Sequence, residues 1–389
     1  MDLLENVVQP YAWGSRTAIA ELRGLPSPSA TPEAELWMGT HPAAPSKSVR
    51  GTDTRALGER IALAPERELG HRVVASFGAE LPFLLKILAA EEPLSLQAHP
   101  TLEQARAGFA REEAAGVPRT AAHRNYKDPN HKPELICALT SFDALCGFRA
   151  VDDTRALLAE LGTLEDLSER LRGGLHEAFA WLMGLDRGSR VAKVEATLAA
   201  CARITSGRFA RECAWALRIG KVHPGDVGIV GALLLNLVTL EPGEAIYLPA
   251  GNLHAYLHGV GVEIMASSDN VLRGGLTPKH VDVRELLSVL DFQAGPVAKV
   301  QPIREGALER WATPAREFAL SRVRLGAGDA WAAPIDGPTL AICTEGEVVA
   351  RDAETEVTLS SGRSVFIPAS AERLALNGRG AVFLASVPT

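Results

Sequence analysis

Gln97 and His99 stand two positions apart in the stretch SLQAHP, residues 95–100, directly after the apolar run PFLLKILAAEEPL. In an extended chain alternate side chains share a face, so Ser95, Gln97 and His99 project onto one surface. An amide oxygen and an imidazole aimed the same way are half of an N/O metal site. They are equally the polar residues of a half-exposed strand end. Partners elsewhere in the chain decide between the two readings.

A partner stands at the head of the apolar run LICAL, where Glu134 closes the segment DPNHKPE. A carboxylate turned into an apolar interior is costly unless it is paired or metal-bound. A further partner emerges from an internal echo. Residues 243–254 read GEAIYLPAGNLH and residues 362–373 read GRSVFIPASAER, each a glycine, five residues and a proline. In the second copy Ser370 replaces Gly251, and Arg373 stands where His254 stood. The first copy resembles a conserved motif of cupin β-barrels, in which a turn glycine delivers a metal-binding histidine onto a strand. Two barrels follow, one of which has lost its ligand. His99, His254, Glu134 and the Gln97 oxygen form a set suited to Zn²⁺ with water completing the shell, and also acceptable to iron or manganese. The lack of a cysteine ligand favours a catalytic over a structural ion. His258, four residues after His254, is a rival ligand on helical spacing, but its surroundings read as strand.

These side chains need a scaffold. PTLEQARAGFAREEAAG (100–116) has helix composition, with Thr101 as N-cap and Gly116 as stop. Loop residues dominate 24–32. From Asp152 to about Gly220 the apolar spacing is helical, and after Lys221 short strands with Pro-Gly and Gly-Asn turns resume. The expected fold is mainly β with an α insert: two cupin-type β-barrels, or jelly rolls, plus an all-helical domain. Residues 1–150 and 221–288 would build the catalytic barrel, 151–220 the helical insert, and 289–389 a C-terminal cupin-like barrel without metal ligands.

At 389 residues the chain exceeds one ordinary core. A net charge of -7 argues against a nucleic-acid surface. No apolar run reaches the roughly 20 residues that span a bilayer, and the N-terminus lacks the basic and apolar regions of a signal peptide. The five cysteines, with no CxxC spacing, read as buried thiols of a reducing compartment. A cytoplasmic protein, monomeric and without membrane or nucleic-acid partners, is expected.

Six blocks then narrow the reading: YAWGS (11–15), ELWMGTHPAAPS (35–46), PFLLKILAAEEPLSLQAHP (82–100), YKDPNHKPEL (126–135), YLPAGNLHAYLHG (247–259) and SSDNVLRGGLTPKHVDV (267–283). In order and content they closely resemble type I phosphomannose isomerases. The resemblance implies one Zn²⁺ held by Gln97, His99, Glu134 and His254. It also implies interconversion of mannose 6-phosphate and fructose 6-phosphate through a cis-enediol. Arg273 then takes a catalytic role, as a cation beside Gly274 and Gly275 that holds the developing enediolate. Lys132, two before Glu134, is placed to assist ring opening or proton transfer. Asp269 either pairs with Arg273 or shuttles a proton. The group that removes the C2 proton stays open among Lys132, Asp269 and zinc-bound water.

For the phosphate, the family match points to Lys279, Lys86 and Ser95. Strand alternation sets Leu84, Lys86 and Leu88 on one face and Phe83, Leu85 and Ile87 on the other, without saying which lines a cavity. Trp13 is a pocket wall or core residue, as is Trp37. Glu35 meets a sugar hydroxyl or Lys86, and Tyr256 joins the substrate-binding set. His41, His131 and His280 orient loops or substrate. The alternatives are an isomerase of another aldose or of unphosphorylated mannose, and a non-catalytic sugar-binding protein of two cupin barrels.

Overall fold

The computed structural model describes residues 1–388. Strand-forming sequence dominates both ends of the chain and is gathered into two antiparallel sheets, of eleven and ten strands. The first places its strands in the order Lys299–Val300, Ala245–Leu248, Glu134–Ala138, His254–Ala266, Phe83–Ala90, Glu35–Met38 and Val7–Gln9. One strand serves two layers. The far half of His254–Ala266 pairs with Phe83–Ala90 and Glu134–Ala138, while its near half pairs with Phe142–Phe148 and Leu96–Ala98. The crossover carries a register shift between Tyr256 and His258. Gly259 sits just beyond it at φ +124°, where a Cβ would stand 2.7 Å from the Ser141 carbonyl oxygen. Only glycine fits that conformation and that approach.

The second sheet takes Ala319–Pro334, Thr339–Arg351, Ser364–Ile367 and Arg373–Ser386 from the C-terminal hundred residues. It also takes Asp2–Glu5, Lys47–Arg50 and Asp53–Ala56 from the start of the chain. Sheet membership therefore crosses the boundary expected near residue 289. The first strand pairs with Ser364–Ile367, and its flanks are fastened there: the Met1 ammonium bonds Asp352 at 2.5 Å and the Asn6 amide donates to the Ser364 hydroxyl at 2.6 Å. Asp2, fully buried, bonds Arg50 Nε at 2.6 Å and the Ser48 hydroxyl at 2.5 Å, which brings the Lys47–Arg50 strand in beside the first. A buried carboxylate is tolerable only with such partners.

Six helices occupy 151–232, from Val151–Leu161 to Gly228–Ala232, a little longer than the expected insert. Their leucines share one core with Leu96, Ala98, Leu253, Ala255, Leu257 and Leu272. Thus the helices pack on the back of the very strands that carry Gln97 and His254. The Leu102–Ala114 helix begins as its sequence predicts: Thr101 accepts from the Gln104 amide and Gln104 returns the bond. Such a capping box is worth about 1 kcal/mol. The echo also survives folding. Gly243 and Gly362 hold positive φ before the strands Ala245–Leu248 and Ser364–Ile367. His254 and Arg373 each open the long strand that follows. His254 is buried and Arg373 is exposed.

Candidate metal centre and substrate cavity

Three neighbouring strands put the central side chains in a row. Gln97 lies opposite His254 on one side and Arg273 on the other. Directly opposed residues in antiparallel strands point to the same face, so sequence positions 97, 254 and 273 meet there. Leu96 and Ala98 point the other way, into the helical core. The alternation inferred for SLQAHP is what divides the strand between core and cavity.

His99, Glu134 and His254 converge, with their donor atoms all within 4.8 Å of one another. His99 Nε2 lies 3.3 Å from Glu134 Oε1, and His254 Nε2 lies 3.4 Å from Glu134 Oε2. Both imidazole nitrogens and Glu134 Oε2 are buried without a hydrogen-bond partner. Their other ring nitrogens are satisfied: His99 Nδ1 donates to the Asn270 carbonyl at 2.7 Å and His254 Nδ1 to the Asn252 carbonyl at 2.9 Å. Those bonds set the tautomer and turn each Nε2 lone pair inward, the arrangement metal-binding histidines use. Burial pushes the His99 pKa down to about 4, against Glu134, so the ring is neutral at pH 7. Burial alone would raise the Glu134 carboxyl, but Lys132 beside it holds it well below the ordinary range. A neutral His99 and an ionised Glu134, with the His254 Nε2 turned toward them, fit a divalent cation.

Beside this cluster opens a cavity of about 630 Å³, lined in part by Gln97, Glu134, Lys132, Arg273 and Lys279. That size suits a small ligand. Ser95, Trp13, Glu35, Lys86, Tyr256 and Asp269 line it as well. Leu84, Lys86 and Leu88 all face the cavity, whereas Phe83, Leu85 and Ile87 enter the core between the sheets. Lys86 Nζ is held by Glu263 at 3.0 Å and Glu35 at 3.5 Å, and sits 5.3 Å over the Trp37 ring. Burial works against its charge, but the two carboxylates outweigh it and raise the pKa. Glu35 in turn accepts from the Trp37 indole at 2.7 Å.

Lys132 Nζ contacts Glu134 Oε1 at 3.1 Å. Asp269 is half-exposed and bonded to His41 Nε2 at 3.1 Å, and this bond holds its carboxyl low. It pairs with His41, not with Arg273. Arg273 has no carboxylate within 4 Å among the described residues, and burial lowers its pKa. Burial, then Arg273 and Lys127, lower the pKa of Lys279. A guanidinium and an ammonium without anions thus share one wall and lack only a negative ligand. The Tyr256 hydroxyl is buried without a partner, and burial pushes its pKa well up.

His258 lies beyond the register shift, opposite Asp143, and is not among the clustered donors. His131 bonds Glu317 at 2.8 Å, and His280 packs edge-on to His123. Sequence reasoning did not single out Glu263, which stands opposite Lys86 in the sheet register. A lone glutamate in GVGVEIMA is the signal, but only the register reveals its partner. Tyr11, stacked on Trp13 at 5.8 Å, and Val222 and His223 of the helical segment were also missed as lining residues.

Residues 1–151 match the model of the phosphomannose isomerase type I catalytic domain. Mannose-6-phosphate isomerase from Salmonella typhimurium is 39% identical over 395 residues, covering 98% of each chain. The chain belongs to the type I phosphomannose isomerase family. The Escherichia coli K12 relative is 40% identical over 390 residues, again with 98% of each chain covered. A crystal structure of mannose 6-phosphate isomerase bound with zinc and yttrium superposes with a TM-score of 0.92 at 39% identity, covering all of both chains. A zinc-bound holo structure gives 0.92 at 38% identity, covering 100% of this chain and 99% of the other. The family resemblance of the six sequence blocks therefore extends over the whole fold.

Proposed function

We propose that this protein interconverts mannose 6-phosphate and fructose 6-phosphate with one zinc ion held by Gln97, His99, Glu134 and His254. The observation that carries this reading is the pairing of two features in one cavity. Inward-facing, unpartnered metal donors stand behind one wall, where Gln97 and Glu134 reach the cavity, and cations without counter-charges stand at another. Bound at the donors, the ion supplies a fixed positive charge that polarises the C1 and C2 oxygens of the open-chain sugar.

The protein groups do the rest. Lys279, Arg273 and Ser95 bind the phosphate, and the Arg273 guanidinium also faces the charge that develops on the enediolate. Lys132 donates from Nζ toward the ring oxygen as the ring opens. Asp269, ionised and braced by His41, accepts the proton from C2; the electron pair left behind forms the C1–C2 double bond. The same carboxyl returns its proton to C1, while the hydroxyl proton passes from O2 to O1, so atoms and charge balance. Lys86 neutralises Glu35 and Glu263 and keeps that wall polar and rigid. Trp13 and Tyr256 cover the sugar.

The architecture behind the site is read as two cupin-type barrels, residues 1–150 with 221–288 and then 289–389, with the helical domain 151–220 between them. The strands near residues 2–56 that join the second sheet tie the barrels together. Among the described residues no helix is long and apolar enough to cross a membrane. A cytoplasmic monomer without nucleic-acid partners completes the proposal, supported by five free buried cysteines and the acidic net charge.

A coupled assay for fructose 6-phosphate on metal-quantified protein tests the function. Activity that disappears on chelation and returns with zinc is the expected result. Full activity after chelation, or no product from mannose 6-phosphate, would overturn it. Equal turnover of free mannose would point to an isomerase of unphosphorylated sugar.

A further inference from the structure

The helical segment ends against the substrate cavity. Its Ala210–Val222 helix is closed by His223, whose amide donates to the Ile219 carbonyl at 2.8 Å. Val222 and His223 line the cavity together with Arg273, Thr277 and Lys279. His223 Nε2 is buried and has no hydrogen-bond partner. A buried ring nitrogen left unpaired is costly unless a ligand completes it.

The turn that follows fixes where this ring stands. The Asp226 amide donates to the His223 carbonyl at 3.2 Å. Asp226 Oδ1 accepts from the Gly228 amide at 2.7 Å, and Oδ2 accepts from the Thr277 amide at 3.2 Å. One carboxylate therefore spans from the helical segment to the loop that carries Lys279. The two backbones also touch: a Cβ on Gly275 would lie 2.8 Å from Gly228 Cα, and one on Gly228 would lie 2.9 Å from the Leu276 amide nitrogen. No side chain can separate them. His223 and Lys279 are thus carried by a single packed unit.

From this geometry, and resting on the function proposed above, we infer that His223 is a phosphate contact supplied by the helical segment. Its Nε2–H donates to a phosphate oxygen alongside Lys279 and Arg273. Asp226 acts through the loop and is a positioning residue. The helical insert then has a role in substrate recognition as well as in packing.

Steady-state kinetics of wild type, His223→Ala and His223→Gln provide the test, with inorganic phosphate as competitive inhibitor. His223→Ala is expected to raise both KM for mannose 6-phosphate and Ki for phosphate about 10- to 100-fold, the size of one lost hydrogen bond to an anion. Its kcat should stay within about twofold. His223→Gln, whose amide N–H reaches a similar position, should recover most of the loss. Unchanged KM and Ki in His223→Ala, or equal weakening for free mannose and its 6-phosphate, would overturn the assignment. Should wild type form no fructose 6-phosphate, the proposed function fails by itself. Calorimetric titration of wild type and His223→Ala with inorganic phosphate then still decides the contact: weaker binding by the variant upholds it, and equal binding overturns it.

Discussion

His131 Nε2 and Glu317 Oε1 lie 2.8 Å apart, joining the loop that precedes Glu134 to the segment that leads into the second sheet. Burial alone would raise the Glu317 carboxyl, but the His131 bond outweighs it and holds the group below its ordinary pKa. The second sheet thereby braces the loop that also carries Lys132. Glu317→Ala is expected to lower kcat/KM about tenfold, equivalent to about 1.4 kcal/mol. Glu317→Gln should retain most activity, because its amide oxygen still accepts from the ring. Wild-type kinetics in the alanine variant would remove the brace from the account.

Asn270 offers no metal ligand from its side chain, yet its loss should weaken the metal centre. Its carbonyl receives His99 Nδ1, while its side chain holds the Lys127 amide and the Asp128 and Asn130 carbonyls. Asn270→Ala frees that loop and with it the orientation of His99. Metal affinity should fall about 10- to 100-fold, the usual effect of losing a supporting bond. Competition with a chromogenic chelator measures it, and an unchanged affinity would refute the idea.

Gly275 sits at φ +121° against Gly228, with no space for a Cβ. Gly275→Ala must strain the backbone and push the Lys279 loop away from the helical segment. We expect stability to fall by about 1–3 kcal/mol in urea unfolding and KM to rise. An alanine variant with wild-type stability and KM would show that the loop tolerates displacement.

The five cysteines are buried and free, and burial pushes the thiols of Cys137, Cys146 and Cys201 up to about 12. Cys343 is raised to about 11 for the same reason. A thiol reacts as its thiolate, and at pH 8 a rise of about three units leaves roughly a thousandth of the usual thiolate. The native protein should therefore resist iodoacetamide at pH 8, and all thiols should label once it is unfolded in guanidinium. Raising the pH toward 11 should speed native labelling. Rapid labelling at pH 8 would contradict the burial.

The capping box at Thr101, the helical run after residue 150 and the strand–turn–strand echo were legible in the sequence because each rests on neighbours along the chain. Periods of 2 and 3.6, a cap three residues from its partner, and a glycine before a strand need no tertiary information. The same locality explains why SLQAHP could be read as one polar face carrying Ser95, Gln97 and His99. The residue types of Gln97, His99, Glu134 and His254 likewise limited the chemistry to an N/O site.

Tertiary structure alone decided which residues complete one another. Periodicity left both faces of the Phe83–Ala90 strand open; the core between the sheets took Phe83, Leu85 and Ile87 and turned Lys86 to the cavity. Strand register set Glu263 opposite Lys86 and aligned Gln97 with His254 and Arg273. The pairing of Asp2–Glu5 with Ser364–Ile367 spans nearly the whole chain and moved the first strand out of the expected domain. His223 reaches the cavity only because Asp226 and the Gly228–Gly275 contact seat the helical segment beside Lys279. Such partnerships arise from long-range packing and buried charge compensation, which local spacing does not encode.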